Sequence, residues 1–371
     1  MQNRLLYIYL CLLIPCILCA QNNRNCTTID MNTSKTIDFD NWVGNITCTQ
    51  LENVTFYNCR NMIRYKNHFY FMGYTMTGSN LVIYDKEGRF IKEINLSDAL
   101  SVNSICMIPE LDELWVTSQF KVISRYKTDG SLIKRFSLPF NCANLYPVDK
   151  QNFLVYSGGG PNQIENHYFA LTDFQAIHNL FMPMRNPSKY AYNHWSLFAP
   201  TAGNKQLFLF LHGVDTIFSY DIQKQALKPY YKLDFHGDFL LEFQRPTDDR
   251  EMAEIIEQHK YIYGHHSFYQ ASDKLFFKLL GKREDFCMID LKTNFLYAFD
   301  RLFDSFKSRY VNPFVSSDGT NLYLLVREKD LLEHYMNVKC TYPAIRDLLP
   351  TLNSERNGWI LVTIQIKSSE S

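Results

Sequence analysis

Short apolar runs, each interrupted by a polar turn, recur along the whole chain. One such unit occupies residues 63–71 and another residues 106–116. Four further copies lie at residues 145–155, 197–210, 268–279 and 314–326. Apolar and polar residues that alternate on both sides of a polar turn predict a β-hairpin. The pattern therefore predicts six copies of one hairpin.

A second hairpin follows most of these copies. Residues 81–92 and 122–134 match each other, and Gly88 and Gly130 lie 42 positions apart at their turns. Glycine supplies the positive φ that such turns require. Two hairpins per repeat make a four-stranded antiparallel sheet, and a period of about 40–50 residues is typical of propeller blades. We therefore predict an all-β fold, a six-bladed β-propeller over residues 36–367.

One repeat is longer than the others because it contains a helical pattern. Asp221 and Asp290, which occupy equivalent turns, lie 69 positions apart. Within the extra residues of this repeat, Asp248 can cap a helix and Glu251 follows three residues later, as in a capping box. We predict a short helical insertion at about residues 245–262, not a separate domain.

The sixth blade is predicted to join the two ends of the chain. After its first hairpin the sequence predicts a short helix within residues 343–350 and one further strand at 358–366. The outer strand is expected from residues 36–39, since closing the ring in this way removes exposed sheet edges. Residues 21–35 are then an N-terminal linker.

The first 20 residues predict a signal peptide. An almost unbroken apolar run at residues 5–18 is followed by an abrupt polar stretch after Ala20. The run is too short to span a membrane comfortably, which takes about 20 residues. Two processing routes stay open: cleavage after Ala20, or lipidation of Cys19 or Cys16, although the residues before both cysteines fit a lipobox poorly.

Charge and cysteine content restrict the function further. The chain has 38 acidic and 38 basic residues, which removes the electrostatic argument for nucleic acid or an anionic membrane surface. Outside the leader seven cysteines remain, an odd number that cannot be fully paired. Cys48 and Cys59 are the nearest plausible disulfide pair. The favoured alternative is that most of the cysteines are buried free thiols that act as small apolar residues.

The stretch at residues 81–91 reads LVIYDKEGRFI and resembles the blade motif of NHL-type propellers. The ordered set of leader, acidic-aliphatic strand at 37–40, six repeats and closing strand after Asn357-Gly358 is similar to the exported six-bladed, NHL/TolB-like propeller (lipo)proteins of Bacteroides-like bacteria. The resemblance covers most of residues 30–367. It implies a periplasmic, outer-membrane or cell-surface location and a binding role, and it carries no catalytic residue over to this chain.

The loops that lead into the innermost strands of a propeller usually gather at the mouth of its central channel. Here they carry polar and aromatic side chains that could hydrogen-bond to and stack on a ligand. The predicted ligand-binding residues are Arg60, Asn103, Asn144, His194, Trp195, His265, His266, Arg309 and Asn312. In the alternative interpretation the polar groups satisfy loop backbone, and the histidines are packed or solvated. No metal site or cofactor is predicted, since no H-x-x-x-H or H-E-x-x-H helix occurs.

We therefore expect a non-enzymatic binding propeller of the cell envelope that recognises a glycan, a peptide or a protein partner at its channel mouth. No nucleic acid is expected as a partner, and the membrane is contacted only through a possible lipid anchor. The alternative is a propeller enzyme, a lyase or hydrolase with a polar and histidine site at the central channel. That alternative requires titratable groups with perturbed pKa values that converge on the axis, since the fold alone does not decide function.

Overall fold

Six β-sheets form a six-bladed propeller, which confirms the predicted fold class. The structure is a computed structural model. It describes residues 26–75, 78–96, 102–158, 164–184, 197–201, 203, 205–241, 244–245, 249–283, 285–307, 314–355 and 358–369.

Three strands at the N-terminus precede the first complete blade. They are β1 (Thr27–Asp30), β2 (Lys35–Thr36) and β3 (Val43–Leu51). Blade 1 consists of β4 (Asn58–Tyr65), β5 (His68–Thr75), β6 (Gly78–Asp85) and β7 (Phe90–Asn95). Blade 2 consists of β8 (Val102–Ile108), β9 (Glu113–Ser118), β10 (Val122–Lys127) and β11 (Leu132–Ser137). Blade 3 consists of β12 (Asn144–Pro147), β13 (Phe153–Tyr156), β14 (His167–Thr172) and β15 (Ile177–Pro183).

The second half of the ring follows the same order from the axis outward. Blade 4 consists of β16 (Phe198–Pro200), β17 (Gln206–Phe210), β18 (Thr216–Asp221) and β19 (Ala226–Asp234). Blade 5 consists of β20 (Ile262–Ala271), β21 (Lys274–Gly281), β22 (Phe286–Asp290) and β23 (Leu296–Phe299). Blade 6 consists of β24 (Phe314–Ser317), β25 (Asn321–Arg327), β26 (Trp359–Ile366) and the N-terminal strand β3.

Residues 27–51 run along the outside of three successive blades, and we call them the N-terminal strap. Strand β1 pairs in parallel with β19 of blade 4, β2 pairs in parallel with β23 of blade 5, and β3 pairs antiparallel with β26. The segment predicted as a linker, residues 21–35, thus contributes strands to two blades. Parallel pairing at an outer edge satisfies backbone groups that would otherwise be exposed.

The outer strand of blade 6 is β3, and the prediction that residues 36–39 form it was wrong. Only Lys35 and Thr36 are extended there, and they pair with blade 5. A 3-10 turn at Phe39–Trp42 begins directly afterwards because the carboxylate of Asp38 accepts a hydrogen bond from the backbone N–H of Asp40. Strand β3, nine residues long, then closes the ring, as the predicted joining of the two chain ends requires.

The strands in the middle of each blade are buried on both faces. All eight residues of β21 and all six of β9 are buried. A blade that is stacked between two neighbours has no solvent-facing side, and its central strands therefore read as nearly continuous apolar runs. The innermost strands β4, β8, β20 and β24 contact their neighbours around the axis.

Three α-helices in the described part of the chain lie outside the blades: α1 (Asp249–Glu257), α2 (Glu328–Tyr335) and α3 (Pro343–Leu348). Helix α1 falls in the predicted insertion and α3 in the predicted short helix, whereas α2 was not expected. The proposed cap of α1, Asp248, lies outside the described residues. None of the helices in the described part of the chain is long and apolar enough to cross a membrane.

The seven cysteines among the described residues are free thiols. Cys48 and Cys59, the pair considered above, are therefore not joined. The thiol of Cys59 is buried and donates to the backbone oxygen of Asn61 over 3.2 Å, and burial raises its pKa to about 12. This thiol behaves as a small core residue.

Candidate functional site

A cavity of about 500 Å³ lies on the axis of the propeller and is bounded by all six blades. The innermost strands all run toward the same end of the channel, which we call the rim, where each turns into the second strand of its blade. The cavity is lined by the last residues of these strands and by the turns that follow. Its polar lining residues are Asn61, Arg64, Glu110, Asn144, Thr201, Gln270, Ser316, Ser317 and Asp318. Its aromatic lining residues are Tyr65, Tyr146, Phe198 and Tyr269.

A charged group at the rim connects blade 1 to blade 6. The guanidinium of Arg64 donates to the hydroxyl of Tyr323 over 3.0 Å and lies 3.4 Å from the carboxylate of Asp318. The same hydroxyl donates to Asp318 over 2.5 Å. Burial alone would raise the pKa of Asp318, but the hydrogen bonds from Tyr323 and from Asn321 outweigh it and lower that pKa. Asp318 is therefore a carboxylate at neutral pH, with its charge satisfied by protein groups.

Gln270 is the most deeply buried polar side chain of the cavity, with 3% of its surface exposed. Its Nε2 donates to the backbone oxygen of Ser272. Its backbone oxygen accepts a hydrogen bond from the hydroxyl of Ser317 in the next blade. Its Oε1 is buried and has no hydrogen-bond partner among the described residues. A buried amide oxygen beside a cavity is normally satisfied by water or by a ligand.

Two aromatic rings from adjacent blades form part of the wall. The ring centroids of Tyr146 in β12 and Phe198 in β16 are 5.7 Å apart. Burial raises the pKa of Tyr146, and the nearby negative charge of Glu110 acts in the same direction. The hydroxyl of Tyr146 is thus neutral at physiological pH and able to donate a hydrogen bond.

The predicted mouth residues do not form one cluster in the described part of the structure. Asn144 lines the cavity. Arg60 and Asn103 lie near the starts of β4 and β8, away from the rim, and neither lines the cavity. The guanidinium of Arg60 packs 4.0 Å from the ring centroid of Tyr74. The side chain of Asn103 accepts a hydrogen bond from the backbone N–H of Phe120 over 2.8 Å, which is the backbone-satisfying role of the alternative interpretation.

His194, Trp195, Arg309 and Asn312 lie outside the described residues. Their place relative to the cavity therefore stays a prediction.

His265 and His266 belong to an aromatic cluster at the inner edge of blade 5. The ring of His265 stacks on Phe210 with centroids 3.8 Å apart, and only 2% of the residue is exposed. The Nε2 of His212 lies 2.6 Å from the backbone oxygen of His265. Burial lowers the pKa of His265 well below its usual range and that of His266 to about 4. Both rings are therefore neutral at pH 7.

No three His, Cys, Asp or Glu side chains in the described ranges form a group that could hold a metal ion.

Residues at the ends of the innermost strands were missed at the sequence level. Arg64, Gln270 and Asp318 lie in or next to hairpin turns that the repeat pattern had already located, and polar residues there were assigned to turn formation. The described lining of the cavity comes from residues shortly before and within these turns. The turn positions were therefore the signal that could have located it.

Comparisons with known proteins agree with this architecture. The sequence profile of one family, described as a domain of unknown function, matches residues 26–363. A protein of Bacteroides fragilis that is described as exported matches with a TM-score of 0.73, 16% identity, 93% of this chain and 100% of its own chain. A member of the DUF4221 family from Bacteroides vulgatus matches with a TM-score of 0.50, 13% identity, 88% of this chain and 98% of its own. A search among curated proteins finds no match. At these identities the likeness to solved structures shows the fold.

Proposed function

The chain belongs to that family, DUF4934, and we propose that it is an exported, non-catalytic binding protein of the cell envelope whose ligand occupies the channel cavity. The observation that carries the proposal is the cavity of about 500 Å³, to which every blade contributes. Its volume lies within the range of about 300–1,000 Å³ that is usual for small-molecule sites. The ligand classes are those expected from the sequence: a glycan, a peptide or a segment of a partner protein.

Export is supported by two independent observations. Residues 1–20 have the pattern of a signal peptide, and a protein of the same fold is described as exported. Whether Cys19 carries a lipid, and whether the protein resides in the periplasm or at the outer membrane, belongs to the proposal. The NHL/TolB-like subtype likewise stays a prediction.

We assign the ligand to the cavity and not to the starts of the innermost strands. The described residues at those starts already have protein contacts: Arg60 packs on Tyr74, and Asn103 is bonded to the backbone. The cavity, in contrast, holds the buried acceptor of Gln270, which no described residue satisfies. Among the predicted site residues that the structure describes, Asn144 is the one that lines the cavity.

The alternative of a propeller enzyme gains no support from the described lining of the cavity. Its two acidic side chains are Glu110 and Asp318, and Asp318 is held as a carboxylate by Tyr323 and Arg64. An acid-base pair requires one partner with a pKa raised toward neutrality, and the pKa of Asp318 is lowered. We therefore keep binding as the proposed function.

A thermal-shift screen tests this proposal. The full chain is expressed with its own leader, purified after export and screened against divalent metals, neutral and acidic oligosaccharides, and short peptides. A ligand that binds the native state raises the melting temperature by mass action. We expect a shift that is lost in Asn144→Leu, which changes the cavity, and retained in Arg60→Ala, which changes the opposite end. No shift with any probe, or a shift lost only in Arg60→Ala, would contradict the cavity as the site.

A further inference from the structure

We infer that the cavity takes a neutral saccharide, either a short oligosaccharide or the end of a longer chain that enters from the rim. This inference rests on the proposed function and narrows it to one chemical class. Among the described lining residues the charged side chains are Arg64, Glu110 and Asp318, and the last two are turn residues.

Beneath this rim the described lining mixes apolar side chains, such as Met62, Ile105 and Leu197, with polar ones that carry no charge. The polar ones include the amides of Asn61, Asn144 and Gln270 and the hydroxyls of Ser316 and Ser317. An ionic ligand would lose its hydration there without meeting an opposite charge, which is costly. A ligand rich in hydroxyls loses water but regains hydrogen bonds, because a hydroxyl both donates and accepts. The interior therefore favours a neutral ligand that carries many hydroxyl groups.

The aromatic part of the wall agrees with a sugar ring. Tyr146 and Phe198 present neighbouring rings 5.7 Å apart, and Tyr146 keeps a neutral, donating hydroxyl. An aromatic side chain with a polar tip suits a partner that has one apolar face and a polar periphery. The C–H face of a pyranose and its equatorial hydroxyls form such a partner.

The buried acceptor separates a saccharide from the end of a peptide. Gln270 Oε1 is buried and lacks a donor among the described residues. When the side chain turns this oxygen toward the cavity, a sugar hydroxyl supplies the missing donor without bringing a charge. The end of a peptide chain would carry an ammonium or a carboxylate into the interior, away from the charged side chains Arg64, Glu110 and Asp318 at the rim.

Isothermal titration calorimetry on the exported full chain tests the inference. The probes are neutral trisaccharides of glucose, mannose and N-acetylglucosamine, the acidic trisaccharide of galacturonate, and tripeptides with free and with blocked ends. Two variants change the cavity: Gln270→Met removes the acceptor at similar volume, and Tyr146→Leu removes the aromatic face. The matched control is Gln175→Met, an exposed glutamine in the outer hairpin of blade 3. Circular dichroism and melting temperature verify that each variant is folded.

We expect at least one neutral trisaccharide to bind, with the dissociation constant raised about 10-fold or more in Gln270→Met and in Tyr146→Leu and unchanged in Gln175→Met. Binding of galacturonate or peptide probes in preference to neutral sugars, with the same sensitivity to Gln270→Met, would overturn the saccharide inference and leave the proposed function standing. Binding that neither cavity variant changes, or no binding by any probe, would overturn both.

Discussion

The guanidinium of Arg64 lies 3.4 Å from the carboxylate of Asp318, across the boundary between the first complete blade and the last. Tyr323 connects the two, since its hydroxyl accepts from Arg64 and donates to Asp318. The contact joins parts of the chain that are more than 250 positions apart. The contact therefore holds the first and last blades together, and it also forms part of the rim of the cavity.

The two partners of this contact are expected to contribute unequally to stability. Asp318→Asn weakens a charge-assisted hydrogen bond from the buried Tyr323 and is expected to lower the free energy of unfolding by about 1–2 kcal/mol. Arg64→Met removes a side chain that is 45% exposed, and the expected loss is at most about 1 kcal/mol. Urea unfolding at pH 7 measures both values. An equal or larger loss in Arg64→Met would contradict this account.

The same pair predicts a dependence on pH. The folded-state pKa of Asp318 is lowered, so its carboxylate stabilises the native state above the unfolded pKa of about 3.9. This contribution is lost as the pH falls through the folded pKa. The difference in stability between the natural chain and Asp318→Asn is therefore expected to shrink when the same unfolding measurement is repeated near pH 2.

Gly88 tests the packing of the strap against blade 1. Its φ is +84°, and a Cβ there would lie 2.2 Å from the backbone oxygen of Gln50 in β3. Gly88→Ala is expected to cost about 3 kcal/mol or more, because both the backbone conformation and the contact oppose it. In the control Gly237→Ala, φ is +88° but a Cβ would meet no described atom within 4 Å, and the expected cost is about 1 kcal/mol. Equal losses in chemical denaturation would show that the close approach does not matter.

Lys274 is a fully buried cation at the boundary of blades 5 and 6. Its Nζ lies 2.5 Å from a carboxylate oxygen of Asp273, 3.8 Å from Asp290 and 4.6 Å from the ring centroid of Trp42. Lys274→Met removes the buried positive charge beside the carboxylates of Asp273 and Asp290. It is expected to lower the free energy of unfolding by about 3–5 kcal/mol. Lys292 serves as the control for this variant.

The ammonium of Lys292 lies 3.5 Å from Asp273, but its side chain is 47% exposed. Lys292→Met is expected to cost at most about 1 kcal/mol. Melting temperatures together with urea unfolding measure both variants. A Lys274→Met protein as stable as the Lys292→Met protein would contradict a structural role for the buried cation.

The histidines of blade 5 predict acid sensitivity. The pKa of His266 falls to about 4 in the folded state, below the unfolded value of about 6.5. The unfolded chain therefore binds more protons between these values, and the native state loses stability as the pH falls from about 6.5 to 4. For His266 the loss is of the order of 3 kcal/mol, and His265 acts in the same direction.

His266→Gln is expected to flatten this part of the stability profile, measured as unfolding free energy at pH 7, 6 and 5. His178→Gln, which replaces an exposed histidine on β15, is the control for the substitution itself. An identical slope in the natural chain and in His266→Gln would refute the assignment of the acid sensitivity to this buried ring.

The blade count was predictable because hairpin turns leave local signals in the sequence. Gly88 and Gly130 lie 42 positions apart at the two predicted turns, and both adopt the predicted positive φ, at +84° and +79°. The strap was not predictable in the same way. A two-residue strand such as β2 carries no alternation to detect, and its pairing with β23 depends on an edge formed more than 250 positions later.

The site was harder to predict than the fold. The predicted site residues came from the loops that lead into the innermost strands, whereas the cavity is formed where those strands end. Nothing local distinguishes Gln270 from an ordinary solvent-facing residue of an alternating strand. Its burial follows from the convergence of six strands on one axis, which is a property of the closed ring.

The most direct test of the account is a crystal structure of the full exported chain soaked with the neutral trisaccharide that binds most tightly. We predict density for at least one sugar ring inside the channel cavity, with a hydroxyl within hydrogen-bond distance of Gln270 Oε1 and a ring face against Tyr146. Density at the opposite end of the channel beside Arg60 and Asn103, with the cavity holding only water, would contradict it.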